Sequence, residues 1–278
     1  MNSRIILAAP LLILLSSPVW ATPQTTGAAQ AGAREDLPVA RTVIDRHLEL
    51  TGSTSVITTT TSTRTKGTLE LVGMNIGGPM EVLSHKSNKR LVQVEMGAMG
   101  TVREGFDGTT AWSIQPGIGA QIQEGLEQLQ TQLHANYTAA LKSASDYESM
   151  KTLAKADFEG RSCWKLELIA KLPSGMDAAS TKALRTTHEY YDVETGLLAG
   201  TEMTTAAAMP VVVVQSDYKK LGERLVATTV IQKAGPQRIK ITTSSITYDD
   251  VEPAAFSLPA EISAKLEARN QTVPAKAK

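Results

Sequence analysis

Between Arg64 and Pro259 the chain alternates apolar and polar residues over many short runs. In Arg90 to Met96, Val92, Val94 and Met96 fall on one side while Gln93 and Glu95 fall on the other. In Ser162 to Lys171, Trp164, Leu166, Leu168 and Ala170 project one way, and Lys165 and Glu167 project the other. A period of two is that of a strand with one buried face. The same character recurs in Met80 to His85, Thr101 to Phe106, Thr109 to Ile114, Lys151 to Ala156, Leu184 to Tyr191, Leu197 to Thr205, Val211 to Tyr218, Leu225 to Gln232 and Arg238 to Tyr248. These runs predict about eleven strands. The β-prone, polar run Thr58 to Thr63 reads as an edge strand or a loop, and the extended continuation through Thr68, Leu69 and Leu71 favours the strand.

Turn chemistry fixes where the strands reverse. Asp107-Gly108, between Phe106 and Trp112, and Asp192 with Gly196, between Tyr191 and Leu197, are hairpin signals. Phe158-Glu159-Gly160-Arg161, Leu221-Gly222-Glu223-Arg224 and Ala234-Gly235-Pro236-Gln237 have the same composition. Two segments have the helical period instead. One opens after Asp36 and places Ala40, Val43, Ile44, His47, Leu48 and Thr51 on one face before Gly52 ends it. The other places Leu126, Leu129, Leu133, Tyr137, Ala140 and Leu141 together, as one bent helix or two shorter ones reaching Tyr147.

An antiparallel sheet of about eleven strands must curl or split. Complete closure makes a barrel around a ligand, and an open sheet leaves a greasy concavity that needs a cover. The N-terminal helix and the helical insertion are the available covers. The expected class is therefore α+β and mainly β, with one domain over residues 37–262 and a loose tail over 263–278.

The start of the chain changes the setting. Residues 1–21 read as a secretory signal, with Arg4, the apolar run Ile5 to Leu15 and the cleavage site Val19-Trp20-Ala21. Residues 22–36 read as a flexible leader. The expected location is periplasmic, without a lipid anchor because no Cys stands at the cleavage site, and without a transmembrane segment in the mature chain. Loss of Arg4 leaves 27 basic residues against 28 acidic ones, a balance that argues against nucleic acid as a partner. The one cysteine, Cys163, reads as a buried thiol on a strand and excludes an internal disulfide framework.

Catalytic patterns are missing from the spacing. His47, His85, His134 and His188 belong to no metal motif, and His188 and Glu189, adjacent on a strand, point to opposite faces. The glycine-rich stretches lack a P-loop lysine, and no G-x-S-x-G elbow occurs. The expectation is a protein without cofactor, metal or catalytic set.

The export signal, the N-terminal amphipathic helix, the strand meander broken by a helical insertion and Tyr191-Asp192-x-x-Thr195-Gly196-Leu197 together resemble the LolA/LolB superfamily. Divergent outer-membrane lipoprotein-sorting-like proteins are similar through Gly105-Phe106-Asp107-Gly108-x-x-Ala111-Trp112 and Asp250-Val251-Glu252-Pro253-Ala254-Ala255-Phe256-x-Leu258-Pro259. The resemblance implies an unclosed β-barrel with a helical lid. It also implies a soluble carrier of a lipoprotein acyl chain, lipid or other hydrophobic ligand, with a membrane-associated donor or acceptor protein as partner. The Arg-Pro-Asn-like turn of the carriers is Lys86-Ser87-Asn88 here and agrees only at Asn88. Lysine offers a point charge where arginine offers a planar fork.

On that reading the ligand-facing candidates are Val92, Val94, Met96, Phe106, Trp112, Trp164, Leu166 and Leu168, and the headgroup candidates at the mouth are Lys86, Lys89 and Arg90. The alternative is a structural or interaction module of the cell envelope whose concavity is filled by its own side chains, with Ala206 to Val214 packing inward.

Overall fold

The computed structural model describes residues 37–172 and 176–272. The expected signal, the whole leader and the end of the tail lie outside these residues. Thirteen antiparallel strands form one sheet. Strands β1 (Ser62–Leu71), β2 (Ile76–His85), β3 (Lys89–Glu95), β4 (Thr101–Phe106), β5 (Ala111–Gln115) and β6 (Gly119–Ile122) run outward in sequence. The chain then crosses to the opposite edge and returns through β7 (Tyr147–Phe158), β8 (Arg161–Ala170), β9 (Thr186–Asp192), β10 (Leu198–Thr204), β11 (Pro210–Leu221), β12 (Arg224–Ala234) and β13 (Gln237–Tyr248). Strand β13 pairs with β1, so β6 and β7 are the two free edges and the curved sheet stays unclosed.

Five helices accompany it: α1 (Ala40–Thr51), α2 (Ser53–Thr59), α3 (Gly125–Ala135), α4 (Ala178–Arg185) and α5 (Ala260–Thr272). The crossover from β6 to β7 consists of α3 and the 3-10 turns Ala139–Leu141 and Ala144–Asp146. Asn136 ends α3 with ψ 107°, and its Oδ1 accepts from Thr138 N at 3.1 Å, which is why the expected helical stretch stops short of Tyr147.

The hairpins form where the Asp-Gly signals stand. Asp107 Oδ1 accepts from Thr109 N (2.8 Å) and Thr110 N (2.7 Å), and Gly108 has φ 102°. Asp192 Oδ1 accepts from Thr195 N at 2.8 Å, and Gly196 has φ 74°. These side-chain bonds replace backbone partners that the reversal removes.

Other boundaries differ from the expectation for local reasons. Thr58 and Thr59 lie in α2, not on a strand, because Val56 and Ile57 are buried and the threonine hydroxyls bond back to Thr54 O and Ser55 O. Leu184 and Arg185 close α4, which Asp177 caps by accepting from Ser180 N at 2.7 Å. Residues 260–272, read as partly tail, form α5, whose Ile262 is fully buried against Trp112 and Ala120 with Leu266 alongside.

The register defines one continuous concave face. Leu166, Glu189, Thr201 and Val213 stand opposite one another across β8 to β11, and Arg90, Phe106 and Ala111 do so across β3 to β5. Helix α1 covers Leu166, Leu168 and Tyr191 through Val43, Ile44 and Leu48. Helix α3 sets Ala135 on Phe106 and Ala111. Helix α5 and the turn Pro253–Phe256 cover the other side of the sheet near β2 to β6.

Candidate functional site

A cavity of about 430 Å³ lies between the concave face of β9 to β11, helices α3 and α4, and the crossover. Leu133, Leu184, Leu198 and Met203 give it apolar walls. Its remaining wall includes the charged Arg90, Lys142, Arg185 and Glu189 and the polar His134 and Tyr147. A more open groove of about 600 Å³ runs outside α4 along Thr186, His188, Glu202 and Pro210 to Val212.

Glu189 is buried, at 3 % exposure. Its Oε1 meets Lys142 Nζ at 2.7 Å, and its Oε2 accepts from Tyr191 Oη at 2.7 Å. Burial opposes the Lys142 charge, but Glu189 and Tyr147 outweigh it and hold the ammonium above its usual pKa. Burial, with Glu189 second, lifts Tyr191 well above the ordinary phenol value. Lys142 is presented by a left-handed residue, φ 50°, a conformation that needs support from outside. Arg41 of α1 supplies it by donating to Leu141 O (3.3 Å) and Lys142 O (2.8 Å). The crossover is thereby fastened to the sheet on one side and to α1 on the other.

Arg185 fastens α4 in the same manner. It pairs with Glu148 at 3.1 Å, donates to Ala170 O and reaches Thr181 Oγ1 at 3.2 Å. His47 lies edge-on to the Tyr191 ring, with centroids 5.4 Å apart, and its Nδ1 accepts from Leu198 N at 3.2 Å. Burial lowers its pKa to about 4.

Arg90 on β3 and His134 on α3 both line the cavity. Burial is the main cause that lowers the His134 pKa to about 3, and the Arg90 charge adds to it. The imidazole is therefore neutral, and its buried Nδ1 has no hydrogen-bond partner. Burial likewise lowers Arg90, against an opposing pull from Glu104.

The residues singled out from the sequence are dispersed. Val92, Val94 and Met96 pack with Leu69, Leu71, Met80, Val102 and Ile239 in a cluster made by the sheet itself. Phe106 lies under Ala135. Trp112 is on the far side of the sheet, its ring over Gly105, beneath α5. Leu166 and Leu168 lie under α1, where Trp164 joins them with Lys155 Nζ 5.7 Å from its ring centroid. None of these eight lines the 430 Å³ cavity. Lys86 lies in the β2–β3 turn and Lys89 opens β3 opposite His85, whereas Arg90 lines the cavity wall. Asn88 of that turn, φ 58°, accepts from Tyr137 N at 3.1 Å and so ties it to the crossover.

Lys142, Tyr147, Glu189 and Tyr191 were not among the sequence candidates. A signal for Glu189 existed: it falls on the same strand face as Tyr191, two residues on, so one of the pair's environments had to accommodate a carboxylate. The other expectations concern single residues. His188 and Glu189 do point to opposite faces, with His188 Nε2 3.7 Å from Glu167. Cys163 is buried, and burial with Asp192 raises its thiol to about 11, the opposite of a reactive thiolate. Among the described residues no cluster of His, Cys, Asp and Glu has the geometry to hold a metal ion, and no helix is long and apolar enough to cross a membrane.

No protein-family model matches the chain, and no curated protein matches it by sequence. Solved structures do share its fold. A LolA superfamily protein from Nitrosomonas europaea superposes with a TM-score of 0.55 at 12 % identity, covering 80 % of this chain and 98 % of its own. A DUF1329 family protein from Desulfovibrio piger superposes with a TM-score of 0.53, also at 12 % identity, covering 80 % and 98 %. At such identity the likeness is one of fold: an unclosed, mainly β container with helices over its concave side.

Proposed function

We propose that the protein is a periplasmic carrier or binding protein that holds an amphiphile, such as a lipid or the acylated end of a lipoprotein, between the curved sheet and its helices. The observation that carries this reading is the partly apolar 430 Å³ cavity beneath α3, α4 and the crossover in a sheet whose two edges are never joined. A closed barrel fixes its mouth, whereas here the crossover spans the open side and reaches both edge strands. Burial of an acyl chain there supplies roughly 0.8 kcal/mol per methylene. Cargo loading and release then require movement of helices only, with transfer from a membrane-associated donor and to an acceptor protein. Export by the N-terminal signal, cleavage near Ala21 and the absence of a lipid anchor complete the proposal.

The second reading, an envelope module with a self-filled concavity, draws on the tightly packed cluster around Val92 and Val94. Mass spectrometry of an organic extract of protein purified from its native periplasm separates the two. The carrier reading expects one discrete amphiphile at near-stoichiometric yield, and an extract containing only bulk membrane lipid contradicts it.

A further inference from the structure

Arg90 and His134 are polar groups of the cavity wall whose facing side-chain nitrogens have no partner among the described residues. Two other cations of the wall, the half-buried Lys142 and the buried Arg185, each touch a carboxylate, Glu189 at 2.7 Å and Glu148 at 3.1 Å. No ion pair or hydrogen bond of the Arg90 guanidinium is found among the described residues, and the Glu104 charge pulls on it electrostatically. A half-buried guanidinium without a contact partner keeps its planar donor fork available to an oxyanion arriving beside an apolar wall. The buried Nδ1 of His134 lacks a partner too, and a neutral imidazole with its proton on that nitrogen donates. Gln130, whose Oε1 already accepts from Ala206 N at 2.7 Å, offers its NH2 to the same wall. From these groups the wall continues into Leu133, Leu184, Leu198 and Met203, the surroundings of a tail.

We infer that the cavity selects an amphiphile whose head carries a carboxylate or phosphate oxyanion, received by the Arg90 guanidinium and His134 Nδ1. The inference rests on the carrier reading and narrows its cargo. It is tested by displacing the uncharged probe N-phenyl-1-naphthylamine with dodecanoate, dodecyl phosphate and dodecanol, which share one tail. Both anions are expected to displace the probe from the wild type at concentrations about tenfold below that of dodecanol. Arg90→Gln should bind all three alike, and Arg90→Lys should retain part of the preference; thermal melts show that each variant is folded. Dodecyl phosphate should also raise the His134 pKa, followed by imidazole NMR, a change that a purely structural histidine does not show.

Equal displacement by anions and alcohol in the wild type overturns the headgroup assignment while the carrier reading stands. Failure of every amphiphile to bind overturns both. Inorganic phosphate or acetate binding as tightly as dodecyl phosphate keeps the oxyanion site but overturns the amphiphile, leaving a free anion as the ligand.

Discussion

The concave face has two ends, and they are filled differently. Around β1 to β4 and β13, Leu69, Leu71, Met80, Val92, Val94 and Ile239 close on one another, with Val94 at 0 % exposure and no α-helix among the described residues of the cluster. Around β9 to β11 the sheet presents Glu189, Thr201 and Gln215, and the space above them is bridged by α3, α4 and the crossover. Apolar side chains facing each other across a curled sheet fill it without leaving a void. Polar side chains need designated partners, and the distances those partners impose keep the covering elements apart from the sheet. The cavity therefore lies where the alternation is interrupted by charge.

The contrast breaks hardest at Glu189. Glu189→Leu strands the buried Lys142 ammonium and is expected to cost about 3–5 kcal/mol in urea unfolding. Adding Lys142→Met should restore most of it; a neutral single variant would mean that the pair does not hold the crossover. Next is Leu69→Ala at the self-packed end, expected to cost about 2–4 kcal/mol. Amphiphile affinity per folded molecule should stay unchanged, and a parallel loss of binding would erase the distinction between the ends.

Acid should weaken the helix-covered end. Folded His47 and His134 take up protons only near pH 4 and pH 3. The unfolded imidazoles do so near pH 6.5, so the unfolded state binds more protons and stability rises with pH across that window. The full contribution is present above pH 6.5 and declines as pH falls toward 3, by at most about 2 kcal/mol per imidazole at pH 5. Urea melts at pH 7.5 and pH 5 measure this, and His134→Gln should narrow the difference. The smallest stability effect belongs to Arg90→Gln, about 1 kcal/mol or less of either sign, because no contact carboxylate is left behind. Its effect should appear in headgroup preference instead.

Much of the container was legible in the chain. Alternation such as Val92-Gln93-Val94-Glu95-Met96 and the turns at Asp107 and Asp192 gave strands and reversals, since both depend on neighbours within a few residues. The helical content of Ser53–Thr59 and Ala178–Arg185 was not, because it depends on back-bonding hydroxyls and on a cap at Asp177 that compete with an extended conformation of similar local energy. The site was harder still. Greasy alternation identifies residues that will be buried and is silent on whether another residue or a ligand buries them. Val92 and Leu166 share a pattern, yet the former meets its own sheet and the latter meets α1. Lys142 and Glu189 are 47 positions apart in the numbering and are joined only by the route of the crossover. Arg90 alone among the headgroup candidates lines the cavity, because its place on β3 turns it to the concave face while Lys86 remains in the turn and Lys89, one residue earlier on β3, alternates to the other face.

The central claim concerns location, and methyl NMR of Leu, Val and Met during titration with dodecyl phosphate reports it directly. Occupancy of the helix-covered end should shift the methyls of Leu133, Leu184, Leu198 and Met203 while those of Leu69, Val92, Val94 and Met96 stay in place. Shifts confined to the second group, or spread evenly over both, would contradict the account.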